Sequence, residues 1–222
     1  MRKLIYLTLM LGLFMTSYAC STDEAKPEKD TPVKPGDTTQ KPEENPGEGV
    51  KPDGKTLIVY YSYTNNVHSI VSDLSKQITA DVVRVEPAEE GLDYAANNYE
   101  IGSRLIAAIR NNPTSVSSYP AIKKTECNLD DYGTVIIAAP LWWSNMAAPL
   151  QTFLFNYGSQ MEGKSIGLIV SSASSGISGV EADAKRLVPG GKFFSKRLWI
   201  KSAQTSDCHR MLAEWLSEVG YK

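Results

Sequence analysis

Three stretches concentrate the side chains able to hold a small molecule: Ser62-Tyr63-Thr64-Asn65-Asn66-Val67-His68, Pro140-Leu141-Trp142-Trp143-Ser144 and Ser171-Ser172-Ala173-Ser174-Ser175-Gly176. The first gathers hydroxyls and carboxamides just before a helix-period stretch. With the unpaired N–H groups of a helix N-terminus, they favour an anion. No Lys or Arg lies between Lys55 and Lys76, so neutral donors would have to hold it. Hydrogen bonds to a charged group contribute about 1.5–3 kcal/mol each. Roughly four of them reach the gross gain of a micromolar complex, about −8 kcal/mol, before the costs of association. Neither G-x-x-x-x-G-K-S/T nor G-x-G-x-x-G occurs, so the loop is neither a P-loop nor a Rossmann turn.

Other chemistries find little material. Two histidines and three cysteines are too few for a zinc framework, and no EF-hand spacing is present. The serine-rich loop lacks the G-x-S-x-G elbow, which argues against a hydrolase triad. His68 stands at a helix start, where it reads as exposed or capping, and His209 in the last helix has no evident role. Cys127 and Cys208 leave a disulfide open in an oxidising compartment. Cys208 is near a helix start, which would lower its pKa, but nothing else makes it a nucleophile. By themselves, Trp142 and Trp143 read as packing residues, and Asn65 and Asn66 as turn and N-cap residues. A net charge of −2 and a pI near 5.8 argue against nucleic acid as a partner.

These loops need a scaffold, and the chain supplies an alternation of apolar runs and helical stripes. Thr56 to Tyr61, Asp81 to Glu86, Val135 to Ala139, Ser165 to Ser171 and Phe193 to Ile200 read as strands. Between and after them, Val67 to Ile78, Asn98 to Arg110, Ala147 to Tyr157, Val180 to Leu187 and Asp207 to Val219 read as helices. Val67, Ile70, Val71, Leu74 and Ile78 make the clearest stripe. The third strand is apolar at nearly every position, as expected when both faces are covered. The order βαβαβαβαβα implies an α/β fold, a doubly wound parallel sheet with helices on both faces. In such sheets ligands sit beyond the carboxyl ends of the strands, where the three loops fall.

The chain divides into three regions. In residues 1–20, Arg2 and Lys3 precede about twelve apolar residues from Leu4 to Met15, then Thr16-Ser17-Tyr18-Ala19 and Cys20. That is a signal-peptide pattern, too short to span a bilayer. Cys20 directly after Ala19 resembles the lipidated cysteine of bacterial lipoproteins; Ser17-x-Ala19 also fits ordinary signal peptidase cleavage. Residues 21–54 hold six of the twelve prolines and no aromatic residue, too little apolar surface to offset chain entropy. They read as a disordered tether, its ends on the order of 30 Å apart as a flexible coil. Residues 55–222 form the single folded domain. An exported, membrane-anchored envelope protein is the expectation.

The loops together resemble those of the flavodoxin-like proteins. Tyr60-Tyr61-Ser62-Tyr63-Thr64-Asn65-Asn66 is similar to a phosphate loop usually written S/T-x-T-G-x-T. Pro140-Leu141-Trp142-Trp143-Ser144 with Ala148-Pro149-Leu150-Gln151-Thr152-Phe153-Leu154 is similar to a P-I/L-W-W-G turn followed by a proline-started helix. Ser171 to Gly176 resembles T-S-G-G-S-G. The resemblance covers roughly residues 56–200 and implies strand order 2-1-3-4-5 and non-covalent FMN. No inserted segment breaks the last strand, which is similar to the short-chain type. The resemblance places Ser62, Thr64, Asn65, Asn66 and Val67 at the phosphate, Pro140, Leu141, Trp142, Trp143 and Ser144 beside the isoalloxazine, and Ser172 and Gly176 at the ring edge. Asn65 stands where Gly is usual, Val67 for Thr, Ser144 for Gly, and Ala173-Ser174 for a Gly pair. The function implied is electron transfer at a membrane surface with a redox protein or membrane quinone. A flavin-dependent quinone or NAD(P)H oxidoreductase and a flavin-free binding module remain alternatives.

Overall fold

A computed structural model describes residues 49–221. The signal-peptide reading, Cys20 and most of the tether lie outside the described residues. The parallel sheet is built from β1 (Thr56–Tyr60), β2 (Asp81–Arg84), β3 (Thr134–Trp142), β5 (Ser165–Ser172), β6 (Lys192–Phe193) and β7 (Leu198–Lys201), with the two-residue β4 (Asn145–Met146) antiparallel to the end of β3. The sheet runs β2-β1-β3-β5-β6, and β7 pairs with β5 beyond β6. Counting β6 and β7 as one edge strand gives the expected order 2-1-3-4-5.

Each strand owes its place to what covers it. Every residue of β1 and β5 is buried, and so are the first six of β3. Alternation sends Leu57, Val59, Val135, Ile137, Ile166 and Leu168 to one face, against α2 (Ala96–Asn111), α3 (Ala148–Tyr157) and α4 (Ser178–Leu187). Ile58, Tyr60, Ile136, Ala138 and Ile169 go to the other face, against α1 (Asn66–Gln77) and α5 (Cys208–Glu218). Helices α1 and α5 present Val67, Ile70, Leu74, Leu212, Trp215 and Leu216 inward. Cys127 and Cys208 belong to these opposite faces, so both are free thiols, and burial raises the pKa of each. For Cys208 this reverses the lowering expected from its helix start: desolvation, reinforced by the Asp73 charge, outweighs the backbone amides.

Three sequence-based boundaries are corrected. The expected Phe193–Ile200 strand is interrupted at Phe194–Arg197: Phe194 turns into the core against Trp215, and pairing with β5 resumes only at Leu198. This break is a four-residue jog and not an inserted segment. The second helix is hydrogen-bonded from Ala96, yet Asn97, Asn98 and Tyr99 carry positive φ, so regular α geometry starts past Tyr99. Composition extends the tether to residue 54, but its last residues are bound to the domain. Lys51 O accepts from Ser165 Oγ at 2.7 Å, and Asp53 N and O both engage Thr134 Oγ1 at 2.7 Å. Val50 packs on the α1/α5 core. Thr134 and Ser165 open β3 and β5, so this strap crosses the amino ends of the strands. The carboxyl ends are left for the site. Among the described residues, no helix is long and apolar enough to cross a membrane.

Candidate functional site

Beyond the carboxyl ends of β1, β3 and β5 the three loops converge on a cleft of about 380 Å³. That is within the size range of small-ligand sites, about 300–1,000 Å³. Ser62, Thr64, Asn66, Val67, Pro140, Leu141, Trp142, Trp143 and Ser172 all line it. None of the residues lining the cleft is charged.

The first loop forms one end. Asn65 holds the left-handed turn at φ 63° and gives α1 no side-chain cap. Asn is among the few residues that tolerate that region without the freedom of glycine. Ser62 takes over part of the capping, its Oγ accepting from His68 N at 3.2 Å. A hydroxyl that accepts keeps its own proton to donate. Asn66 Nδ2 donates weakly to Thr64 Oγ1 at 3.4 Å. The Val67 side chain is buried in the α1 stripe, so what it can offer a ligand is its backbone. Tyr60 OH bonds His68 Nδ1 at 2.7 Å, which assigns His68 to support of the helix start. Arg84 Nη2 donates to Ser62 O at 3.3 Å. A guanidinium therefore stands behind the loop without lining the cleft.

The second loop is less a loop than a hairpin. Strand β3 runs on to Trp142, Trp142 pairs with Asn145, and Trp143 and Ser144 are the two central residues of the turn. Both have positive φ, 45° and 65°, the requirement of a two-residue turn that matches strand twist. Such angles are costly for a tryptophan. The turn sets Trp142 edge-on to Tyr61 at 5.6 Å and tilted against Tyr94 at 4.9 Å. Trp143 is 41% exposed, and its ring centroid lies 6.4 Å from that of Trp142.

The third loop contributes Ser171, Ser172 and Ala173. Ser172 Oγ donates to Ser175 O at 2.8 Å and accepts from Trp199 Nε1 at 2.9 Å. Its hydroxyl therefore shapes the loop, and its proton is already committed. Gly176 does not line the cleft, and neither do Asn65 and Ser144, whose part is to set the two turns.

A fourth wall had no counterpart in the sequence reading. Tyr94, Tyr99 and Gly102 come in from the segment that opens α2. The Cβ of any other residue at Gly102 would stand 2.9 Å from Trp143 Cζ3, so glycine lets the indole lie against the helix. Two tyrosines and a glycine bunched at the start of an amphipathic helix were the available signal. Tyr94 is buried, which pushes its phenol up to about 12 and keeps it protonated. The Tyr94 hydroxyl and Ser171 Oγ are buried polar atoms without hydrogen-bond partners, and both residues line the cleft. Buried polar groups are nearly always paired, so each of these orphans costs free energy.

Comparison with known proteins agrees with this architecture. A flavoprotein structure from Bacteroides eggerthii DSM 20697 has a TM-score of 0.60 at 20% identity, covering 77% of this chain and 100% of its own. One from Bacteroides uniformis ATCC 8492 has 0.57 at 21%, covering 72% and 98%. A flavoprotein from Lactobacillus acidophilus NCFM, solved in complex with FMN, has 0.55 at 19%, covering 70% and 97%. At these identities the likeness establishes the fold. No protein of curated function matches the sequence. The flavodoxin family model matches residues 55–219, the whole sheet with its helices and all four walls of the cleft, and the chain belongs to that family.

Proposed function

We propose that the domain binds FMN non-covalently in this cleft and passes electrons through the ring edge left open between the Trp142 and Ser172 loops. The observation that carries this is the polarity of the cleft. One end is a neutral nest of hydroxyl, carboxamide and helix N–H donors. The other is an aromatic wall, and two of the lining residues, Tyr94 and Ser171, carry buried hydroxyls without partners in the chain. The residues present fit the cofactor on that ground. FMN supplies the redox chemistry; the protein supplies binding, orientation and tuning.

Ser62, Thr64 and Asn66, with the N–H groups of Asn66 and Val67, hold the phosphate. Their neutrality lets the helix terminus provide the favourable field. Trp142 and Trp143 offer faces to the ring, at about 0.5–1.5 kcal/mol beyond area burial. No side chain of the cleft is needed as acid, base or nucleophile.

The FMN complex of the Lactobacillus acidophilus flavoprotein, on the same fold, supports this reading. The experiment is titration of purified residues 49–222 with FMN and with riboflavin, read by tryptophan fluorescence. FMN should quench and should bind the more tightly of the two. Equal affinity would remove the phosphate assignment, and no binding of either would leave a flavin-free module.

The place of action belongs to the same proposal. The segment ending in Cys20 and the proline-rich tether support an acylated, exported protein working at a membrane face. Outside the cytoplasm nicotinamide nucleotides are scarce, so the expected donor is a quinol or a membrane flavoprotein. Mixing the loaded domain anaerobically with NADH, NADPH or a reduced quinone decides between carrier and reductase. Fast bleaching by a nicotinamide favours the reductase.

A further inference from the structure

The turn that aims the two tryptophans is held by contacts from three helices, none of which the binding proposal uses. Arg110, in the last turn of α2, donates through Nη2 to the Trp143 carbonyl and through Nε to Asn145 Oδ1 at 2.6 Å. Asp183 of α4 is buried. Its Oδ2 accepts from Asn145 Nδ2 at 2.9 Å and from Met146 N at 3.0 Å, while Oδ1 takes Arg186 Nη2 at 2.9 Å. Gln151 of α3, also buried, donates to Met146 O at 2.7 Å and accepts from Arg186 Nη2 at 2.8 Å. Asn145 is thus gripped from both sides, and both backbone polar groups of Met146 are taken. Gly179 completes the enclosure: a Cβ there would fall 1.8 Å from Ser144 O.

This much fixation surrounds a turn whose residues resist their own conformation. Asn-Gly or Gly-Gly would make the two-residue turn unaided; Trp143-Ser144 would not. Non-glycine residues stay at positive φ only when their surroundings over-determine them, and such sites cluster where a ligand is gripped. What the turn delivers is the placement of Trp143 over Gly102 and of Trp142 against Tyr61 and Tyr94.

We propose that Arg110 and Asp183 are positioning residues for the flavin ring: they clamp the left-handed Trp143–Ser144 turn so that the aromatic wall exists before the ligand arrives. Arg110 acts on the carbonyl at the turn itself and Asp183 on the returning strand. Neither lines the cleft. Their effect is therefore on the ring and not on the phosphate. The inference rests on the FMN reading but adds a separate, ligand-free observable.

The test uses Arg110→Ala, because Arg110 is exposed and its loss should leave folding intact, whereas Asp183→Ala would strand Arg186 inside the core. Arg110→Ala should melt close to the parent. It should weaken FMN and riboflavin by the same factor, roughly tenfold, as expected for one lost charge-assisted contact. Adding Ser144→Gly should restore most of the affinity, since glycine takes the left-handed position unaided. Arg110→Lys, which keeps the charge but cannot bridge both acceptors, should fall between. In the ligand-free protein, the 5-fluorotryptophan resonance assigned by Trp143→Phe should broaden or split in Arg110→Ala and sharpen again with Ser144→Gly.

Three outcomes would overturn the clamp: parent-like affinity for both flavins, loss of FMN affinity alone, or no rescue by glycine. A parent that binds no flavin defeats the FMN reading; the fluorine resonance then decides the clamp, and an unchanged line in Arg110→Ala sinks it.

Discussion

Thr64 and Asn65 divide the labour that usually falls to a Thr-Gly pair. Asn65 accepts the left-handed angle, which leaves Thr64 exposed at the cleft with a hydroxyl held only by a long contact from Asn66. Thr64→Ala should therefore raise the FMN dissociation constant about tenfold, the worth of one hydrogen bond to a charged group. Riboflavin binding should hardly change, and parallel titrations check it. The tryptophans differ from each other in the same spirit. Trp143→Ala should cost about 1–3 kcal/mol of flavin binding from lost area and stacking, with little change in melting, because the indole is 41% exposed. Trp142→Ala should lose binding and stability together, since its ring is tied to Tyr61 and Tyr94. Denaturation curves beside flavin titrations separate the two cases.

Among the elements, the segment between β2 and α2 carries Tyr94 into the cleft. It is fastened by a small polar knot: Tyr63 OH donates to Asp93 Oδ1 at 2.7 Å, and Ala95 N donates to the same oxygen at 2.9 Å. The hydrogen bond from Tyr63, then the one from Ala95, lowers the Asp93 carboxyl below its ordinary value. The sign follows. A depressed carboxyl contributes stability above its unfolded pKa, about 3.9, and loses that contribution as pH falls through the folded value. Below about pH 4 the knot should open and release Tyr94 from Trp142, seen as a change in tryptophan emission before global unfolding. Asp93→Asn should remove that acid step. An identical step in the variant would show that another group is responsible.

The described domain has two poles. The flavin cleft lies at the carboxyl ends of the strands, and the strap of residues 51–53 crosses the amino ends. The described chain thus begins at the pole away from the cleft. On the proposed acylation at Cys20, the ring edge would meet a membrane donor only across the span that the proline-rich segment is proposed to bridge. The proposed acylation predicts that Cys20→Ser shifts the protein from the membrane to the soluble fraction, measured by fractionation and immunoblotting. Two or three acyl chains give lasting attachment where one is marginal. A parent protein already soluble after export would favour simple cleavage after Ala19.

The layered α/β architecture is legible in the residues alone, because apolar runs and helical stripes are local patterns that burial imposes on each element separately. The sequence also marked the chemistry of three walls, since Ser62 to Asn66, Pro140 to Trp143 and Ser172 each lie within one short stretch. The remainder came from packing. Tyr94, Tyr99 and Gly102 became the fourth wall because α2 docks beside the hairpin. Gly176 fell outside the cleft, while Ser172 bonded Trp199 and residues 51–53 joined the domain, both through partners far along the chain. The clamp is the sharpest case: Arg110 meets Asn145 across 35 positions, and Asn145 meets Asp183 across 38. No periodicity reports on such pairs. Whether those donors and acceptors meet is settled only when three helices pack onto one sheet and bring them within hydrogen-bond distance.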